Sequence, residues 1–229
     1  LSVPLWLLSY LAAGDTAAAI FTRDWHIHEM LFGYTAAVIV GYMTIAGANW
    51  TGHYPVAGWP IAVLVAIWIA GRAAMLAYPM LGLAAAIIDA AFLFLFSLAL
   101  WRELLAATNS RVVAPTMVIT LLAIANIAFH ARTIFPGIGP VSERMTIGLI
   151  TFLIALMGGR LVPSFTRNWL AQRKIISQPA PYGRFDMFSL VATAAGLAAW
   201  VALPDSRLSG TLLLIAGLGL LIRLARWRG

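Results

Sequence analysis

Cysteine is absent from the 229 residues, and with it go disulfides, thiolate–metal sites, Cys-ligated iron–sulfur clusters and covalent Cys-x-x-Cys-His haem attachment. Charge is also scarce. Only 10% of residues are Asp, Glu, Lys or Arg, against 62% hydrophobic, whereas a soluble domain carries about 25% charged residues. Together with a mean hydropathy of +0.91, this marks a polytopic membrane protein. The net charge of +7 would point to an anionic partner in a soluble chain. Here the basic residues lie mostly between apolar segments, where they set orientation, and no nucleic-acid motif accompanies them. Regular period-2 alternation, an internal repeat and a cleavable signal peptide with the usual flanks are not found either. The zinc-protease pattern HExxH is missing, because Glu29 is followed by Met30, Leu31, Phe32 and Gly33, so that chemistry is excluded.

What is present in abundance is apolar sequence in runs of bilayer length, for which about twenty residues suffice. Eight helical segments are predicted, at 1–20, 26–47, 57–77, 81–105, 112–134, 143–163, 187–203 and 209–225, with the longest polar loop at 164–186. The fold class is therefore all-α: a polytopic transmembrane helix bundle, read as one domain over 1–229. Ten of the fifteen basic residues fall on one side: Arg102, Arg111, Arg160, Arg167, Arg173, Lys174, Arg184, Arg223, Arg226 and Arg228. Arg23, Arg72, Arg132, Arg144 and Arg207 fall on the other. Positive charge favours the cytoplasmic side, which places the N-terminal end of segment 26–47 away from the cytoplasm. Trp25, Trp50, Trp59, Trp101, Trp169, Trp200 and Trp227 lie near predicted segment ends, as an interfacial aromatic belt requires.

Against that apolar background, Trp25-His26-Ile27-His28-Glu29-Met30-Leu31-Phe32-Gly33 brings two imidazoles and a carboxylate into hydrocarbon. Ionisable groups there are costly and mark functional sites, and imidazole is the commonest transition-metal ligand. Tracing the segments brings His26, His28, Glu29, Arg72, Asp89, Asn126 and His130 to one depth, with Asn126 and His130 on one helical face because they are four apart. On a regular helix His26 and His28 diverge by roughly 200°, so they share a metal only if the helix starts after them. Otherwise each serves a different site, or one alone ligates. Structural readings stand beside these: interfacial histidines bonding water or a carbonyl, and an Arg72–Asp89 ion pair tying the third segment to the fourth. Glu29 reads as a proton relay, a ligand or a partner for Arg72. His53 reads as a solvated loop residue, and the eight methionines as mostly ordinary membrane core, with a soft copper ligand as the alternative for Met30. Gly158-Gly159 permits close helix approach, and Arg160 can snorkel to headgroups.

The stretch from Trp25 to Tyr34 running into Gly47-Ala48-Asn49-Trp50-Thr51-Gly52, then Trp68-Ile69-Ala70-Gly71-Arg72, Asn126-Ile127-Ala128-Phe129-His130 and Gly158-Gly159-Arg160-Leu161-Val162-Pro163-Ser164-Phe165-Thr166-Arg167-Asn168, closely resembles the NnrS family. The resemblance implies an inner-membrane protein with noncovalent haem and copper, associated with denitrification and with resistance to nitric oxide. Members have about twelve membrane helices, an arginine-phenylalanine-rich opening and a second histidine-bearing half, so the chain is expected to be a fragment truncated at both ends. His26, His28, Glu29, Arg72 and His130 carry over as motif matches.

The expected function is thus binding or processing of nitric oxide at a His-ligated metal site, which limits nitrosative stress. His26, His28 and His130 are the candidate metal ligands, with Arg72 holding the cofactor and Glu29 or Asp89 supplying protons. The lipid bilayer and nitric oxide are the expected partners. Two alternatives stand. One is a proton-coupled transporter using Glu29, Arg72, Asp89 and His130; the other is a metal-binding sensor without turnover.

Overall fold

Backbone groups inside hydrocarbon find no water to bond, so an apolar run must close its own hydrogen bonds as a helix. A computed structural model describes residues 2–11, 21–51, 57–106 and 112–227, and every regular element among them is helical. In chain order these are α1 (Ser2–Leu11), α2 (Arg23–His28), a π-helical stretch (Glu29–Thr35), α3 (Ala36–Thr51), α4 (Trp59–Leu76) and α5 (Tyr78–Leu81), followed by α6 (Leu83–Ala106), α7 (Val113–Ala131), α8 (Ile138–Gln172), α9 (Arg184–Ala202) and α10 (Arg207–Ala225). With α2, the π stretch and α3 taken as one continuous rod, seven helices are long and apolar enough to cross a membrane. The chain is therefore a multi-pass transmembrane helix protein. Of the expected first segment only α1 is described, and His53, Arg111 and Arg228 lie outside the described residues.

One boundary departs from the hydropathy reading. The sixth segment, expected to stop at 163, continues to Gln172 within the 35-residue α8, so the following loop shrinks to 173–183. Hydropathy falls there because the side chains turn polar, which ends a span without ending a helix. Pro163 removes one backbone donor and is tolerated inside α8. Lys174, at φ 56°, turns the chain away after Gln172. The aromatic belt is also incomplete. Trp59 is exposed at the start of α4, but Trp25 is 8% exposed and belongs to the interior.

The chain divides into two compact units, Leu1–Pro136 and Gly137–Gly229. In the first, α6 packs between α4 and α7, burying Ala85, Asp89, Phe92, Phe96 and Leu100 at the three-to-four spacing of one helical face. Gly71 lets α4 come close: a Cβ there would stand 3.3 Å from the Cα of Asp89. On α6 and α7, Thr120 Oγ1 meets Ser97 Oγ and accepts from Trp101 Nε1, both at 2.9 Å. Such hydroxyl and small-residue contacts are how helices associate where lipid competes for apolar surface.

In the second unit, Gly196 meets the backbone of Leu212, where an added Cβ would lie 3.2 Å from its atoms. Asp186 of α9 and Arg223 of α10 are buried together, with Arg223 Nε donating to Asp186 Oδ1 at 3.0 Å and Nη1 to the Ala155 carbonyl of α8 at 2.8 Å. Gly159 stands where any Cβ would collide with that guanidinium. The glycine pair of α8 thus makes room for a side chain, a use that hydropathy does not reveal.

Candidate metal centre

Thr22 caps α2, its hydroxyl accepting from Trp25 N at 3.1 Å, and the helix therefore begins before either N-terminal histidine. His26 and His28 consequently part company. His26 stacks on Trp6 at 4.6 Å between ring centroids, while His28 is fully buried against Phe32 and Phe129, at 5.4 and 5.3 Å. Immediately after His28 the rod becomes π-helical, a conformation frequent at functional sites. There Thr35 Oγ1 donates to Met30 O across five residues at 2.8 Å.

The hub of the site is Asp89 of α6. Its Oδ2 lies 3.0 Å from His28 Nε2, 3.0 Å from His130 Nε2 and 3.0 Å from Asn126 Nδ2, which donates to it. Asn126 Oδ1 is also 3.3 Å from His28 Nε2. The i, i+4 pair Asn126 and His130 of α7 thus meets α2 and α6 at one carboxylate. Asp89 Oδ1 accepts from Arg72 Nη2, while Arg72 Nη1 donates to Glu29 Oε1 at 2.5 Å. A continuous chain runs Glu29–Arg72–Asp89, then to both imidazoles. Gly33 is part of it, since a Cβ at that position would strike the Arg72 guanidinium and come within 2.9 Å of Glu29 Oε2.

His28, Asp89 and His130 each offer one ligand atom, and the three atoms lie within 4.8 Å of one another. The charge balance favours a cation, because two carboxylates face one guanidinium, and buried charge in hydrocarbon needs compensation. His28 Nδ1 supplies a second sign. It is buried without a hydrogen-bond partner among the described residues, with Glu29 Oε1 3.6 Å away. When Nε2 ligates an ion, the ring proton resides on Nδ1, and a carboxylate on that side is the usual supporting partner of a metal-bound histidine. Two imidazoles and a carboxylate suit iron, copper or zinc.

Two cavities flank the cluster. The smaller, about 170 Å³, is bordered by His130, Tyr78, Phe129, Trp25, Met75 and Arg132, among others. The larger, about 480 Å³, is bordered by Trp25, Glu29, Gly33, Tyr34, Trp68 and Arg72, with Val3 and Leu5 of α1. Of the two cavities, the smaller touches an imidazole, at His130, and no described histidine borders the larger.

Of the residues singled out from sequence, His28, Glu29, Arg72, Asp89 and His130 come together and His26 stands apart. Asn126, expected at the same depth and on the same helical face as His130, joins them as an orienting group. Phe32 and Phe129, which wall the imidazoles, read in sequence as ordinary apolar positions. A family model described as NnrS protein matches residues 1–229, the whole chain. No curated protein and no solved structure matches it.

Proposed function

The chain belongs to the NnrS family, and from that premise we propose a metal-binding membrane protein of the nitric oxide response, with a divalent ion held between His28, Asp89 and His130. The observation that carries this reading is the convergence of two imidazole nitrogens and one carboxylate oxygen from three helices. An ion bound by three protein donors keeps coordination positions open to a small ligand such as nitric oxide.

The protein's own groups have separable tasks. Arg72 and Asn126 orient the Asp89 carboxylate, whose place at the hub suits it better to ligation than to proton supply. Glu29 borders the larger cavity and is the group placed to carry protons. Phe32 and Phe129 keep water from the imidazoles. The small cavity beside His130 gives a diatomic molecule room next to that imidazole. Of the two cofactors the resemblance implies, copper is compatible with this donor set, whereas the larger cavity has no described histidine on its border to hold a haem.

The test uses detergent-purified protein loaded with copper, followed by electron paramagnetic resonance before and after addition of nitric oxide under anaerobic conditions. The proposal expects nitrogen hyperfine structure from two imidazoles and a signal altered by nitric oxide. A copper signal indifferent to nitric oxide moves the function to metal sensing, and protein that takes up protons with a solute but no metal moves it to transport.

A further inference from the structure

The larger cavity lies within candidate membrane spans, between the rod Arg23–Gly47 and the helix Trp59–Leu76. Its rim is apolar and exposed: Tyr34 and Leu76 are 62% and 46% accessible. In a bilayer these side chains face acyl tails, so the cavity fills from the lipid phase. Its walls are aromatic, with Trp68 held in place by donation of Nε1 to Gly33 O at 2.9 Å. Its inner end is polar, built from Glu29 and Arg72. Both remain partly accessible, the Glu29 side chain at 12% and the Arg72 side chain at 17%.

Charge narrows the occupant. Arg72 is already engaged by Glu29 and Asp89, so the inner end carries no surplus positive charge and disfavours a phosphate, a fatty-acid carboxylate or a haem propionate. The accessible part of the Arg72 guanidinium suits a neutral oxygen acceptor, and the Glu29 carboxylate calls for a hydroxyl donor. Flat aromatic walls favour a planar ring in offset-stacked or edge-on contact. A neutral planar ring with oxygens at its edge and an apolar tail toward lipid meets all of these requirements.

We propose that this cavity binds the headgroup of a lipid-soluble quinone or quinol. The ring lies against Trp68 and Tyr34, one oxygen faces Arg72 and Glu29, and the tail leaves past Leu76. The inference stands on the cavity and is independent of which ion, if any, sits at His28, Asp89 and His130.

The test is photo-crosslinking of the full chain in lipid nanodiscs with an azido-decylubiquinone probe, mapped by mass spectrometry and titrated against unlabelled decylubiquinone. Saturable labelling confined to Met30, Tyr34, Trp68 and Leu76 is the expected result. Leu76→Trp, which fills the rim, should weaken the probe's apparent affinity by about tenfold, or 1.4 kcal/mol, while leaving metal content unchanged. Labelling spread over all lipid-facing helices overturns the proposal. So does protection by an anionic phospholipid but not by decylubiquinone, or a porphyrin recovered from the wild type and lost from Leu76→Trp. The wild-type map needs no variant, so a Leu76→Trp chain that fails to fold leaves the test intact.

Discussion

Replacement of Asp89 by Asn separates a side chain that organises three helices from one that merely sits among them. The carboxylate is 2% exposed, and four donors or ring nitrogens converge on it from Arg72, Asn126, His28 and His130. Asn keeps the shape and removes the charge, leaving Arg72 with Glu29 alone and presenting an NH₂ group where an acceptor is needed. Removing one partner from a buried charge pair costs about 3–5 kcal/mol. At about 2–4 °C per kcal/mol for 150–250 residues, the expected fall in apparent Tm is on the order of 10 °C, read by fluorescence-detected thermal denaturation in detergent. Arg72→Met alone should cost a similar amount, because it strands Glu29 and Asp89 together. The double replacement should fall short of the sum by about 0.5–3 kcal/mol, the coupling typical of residues in one network. Asp89→Asn protein with an unchanged Tm, or strictly additive losses, would refute the hub assigned to Asp89.

Other positions make independent predictions. Gly33→Ala forces the Arg72 guanidinium aside and should cost about 1–3 kcal/mol as an overpacking change, whereas Gly41→Ala meets nothing within 4 Å and should leave the Tm within about 2 °C; parallel melting curves decide. In the second unit, Asp186→Asn and Arg223→Met should each lower stability, and the double variant should recover part of the loss, measured by the same melts. Protonated imidazole cannot ligate, so acidification should weaken the binding of any ion held by His28 and His130. Dialysis across a pH series with metal analysis reads this, and retention of the ion at pH 4 would speak against histidine ligation.

Much of this was legible in the sequence because hydropathy and alternating span direction fix depth. Counting spans places Glu29, Arg72, Asp89, Asn126 and His130 at one level, and Arg72 does bond both Asp89 and Glu29. Rotation about each helix axis is a different quantity, and hydropathy hardly reports it where all faces are apolar. Thus the divergence of His26 from His28 depended on where α2 starts, which the Thr22 cap decides. Gly33 looks like any membrane glycine until Arg72 is seen crossing it. Arg223 was read as an orienting charge because it lies close to the end of the chain, yet it is wholly buried and bound to Asp186. The available signal was a carboxylate and a guanidinium in successive apolar spans, opposite a glycine pair. The end of α8 was misplaced for a related reason: loss of hydropathy marks departure from the membrane core, not the end of helical hydrogen bonding.

The central claim is that His28, Asp89 and His130 hold one metal ion and His26 does not. Copper, iron and zinc should be quantified per chain in purified wild type, in His28→Ala, His130→Ala and Asp89→Asn, and in His26→Ala. The account predicts about one ion per chain in the wild type and in His26→Ala, falling at least about tenfold in each of the other three. Metal content that survives the joint loss of His28 and His130, or that vanishes only with His26, would contradict it.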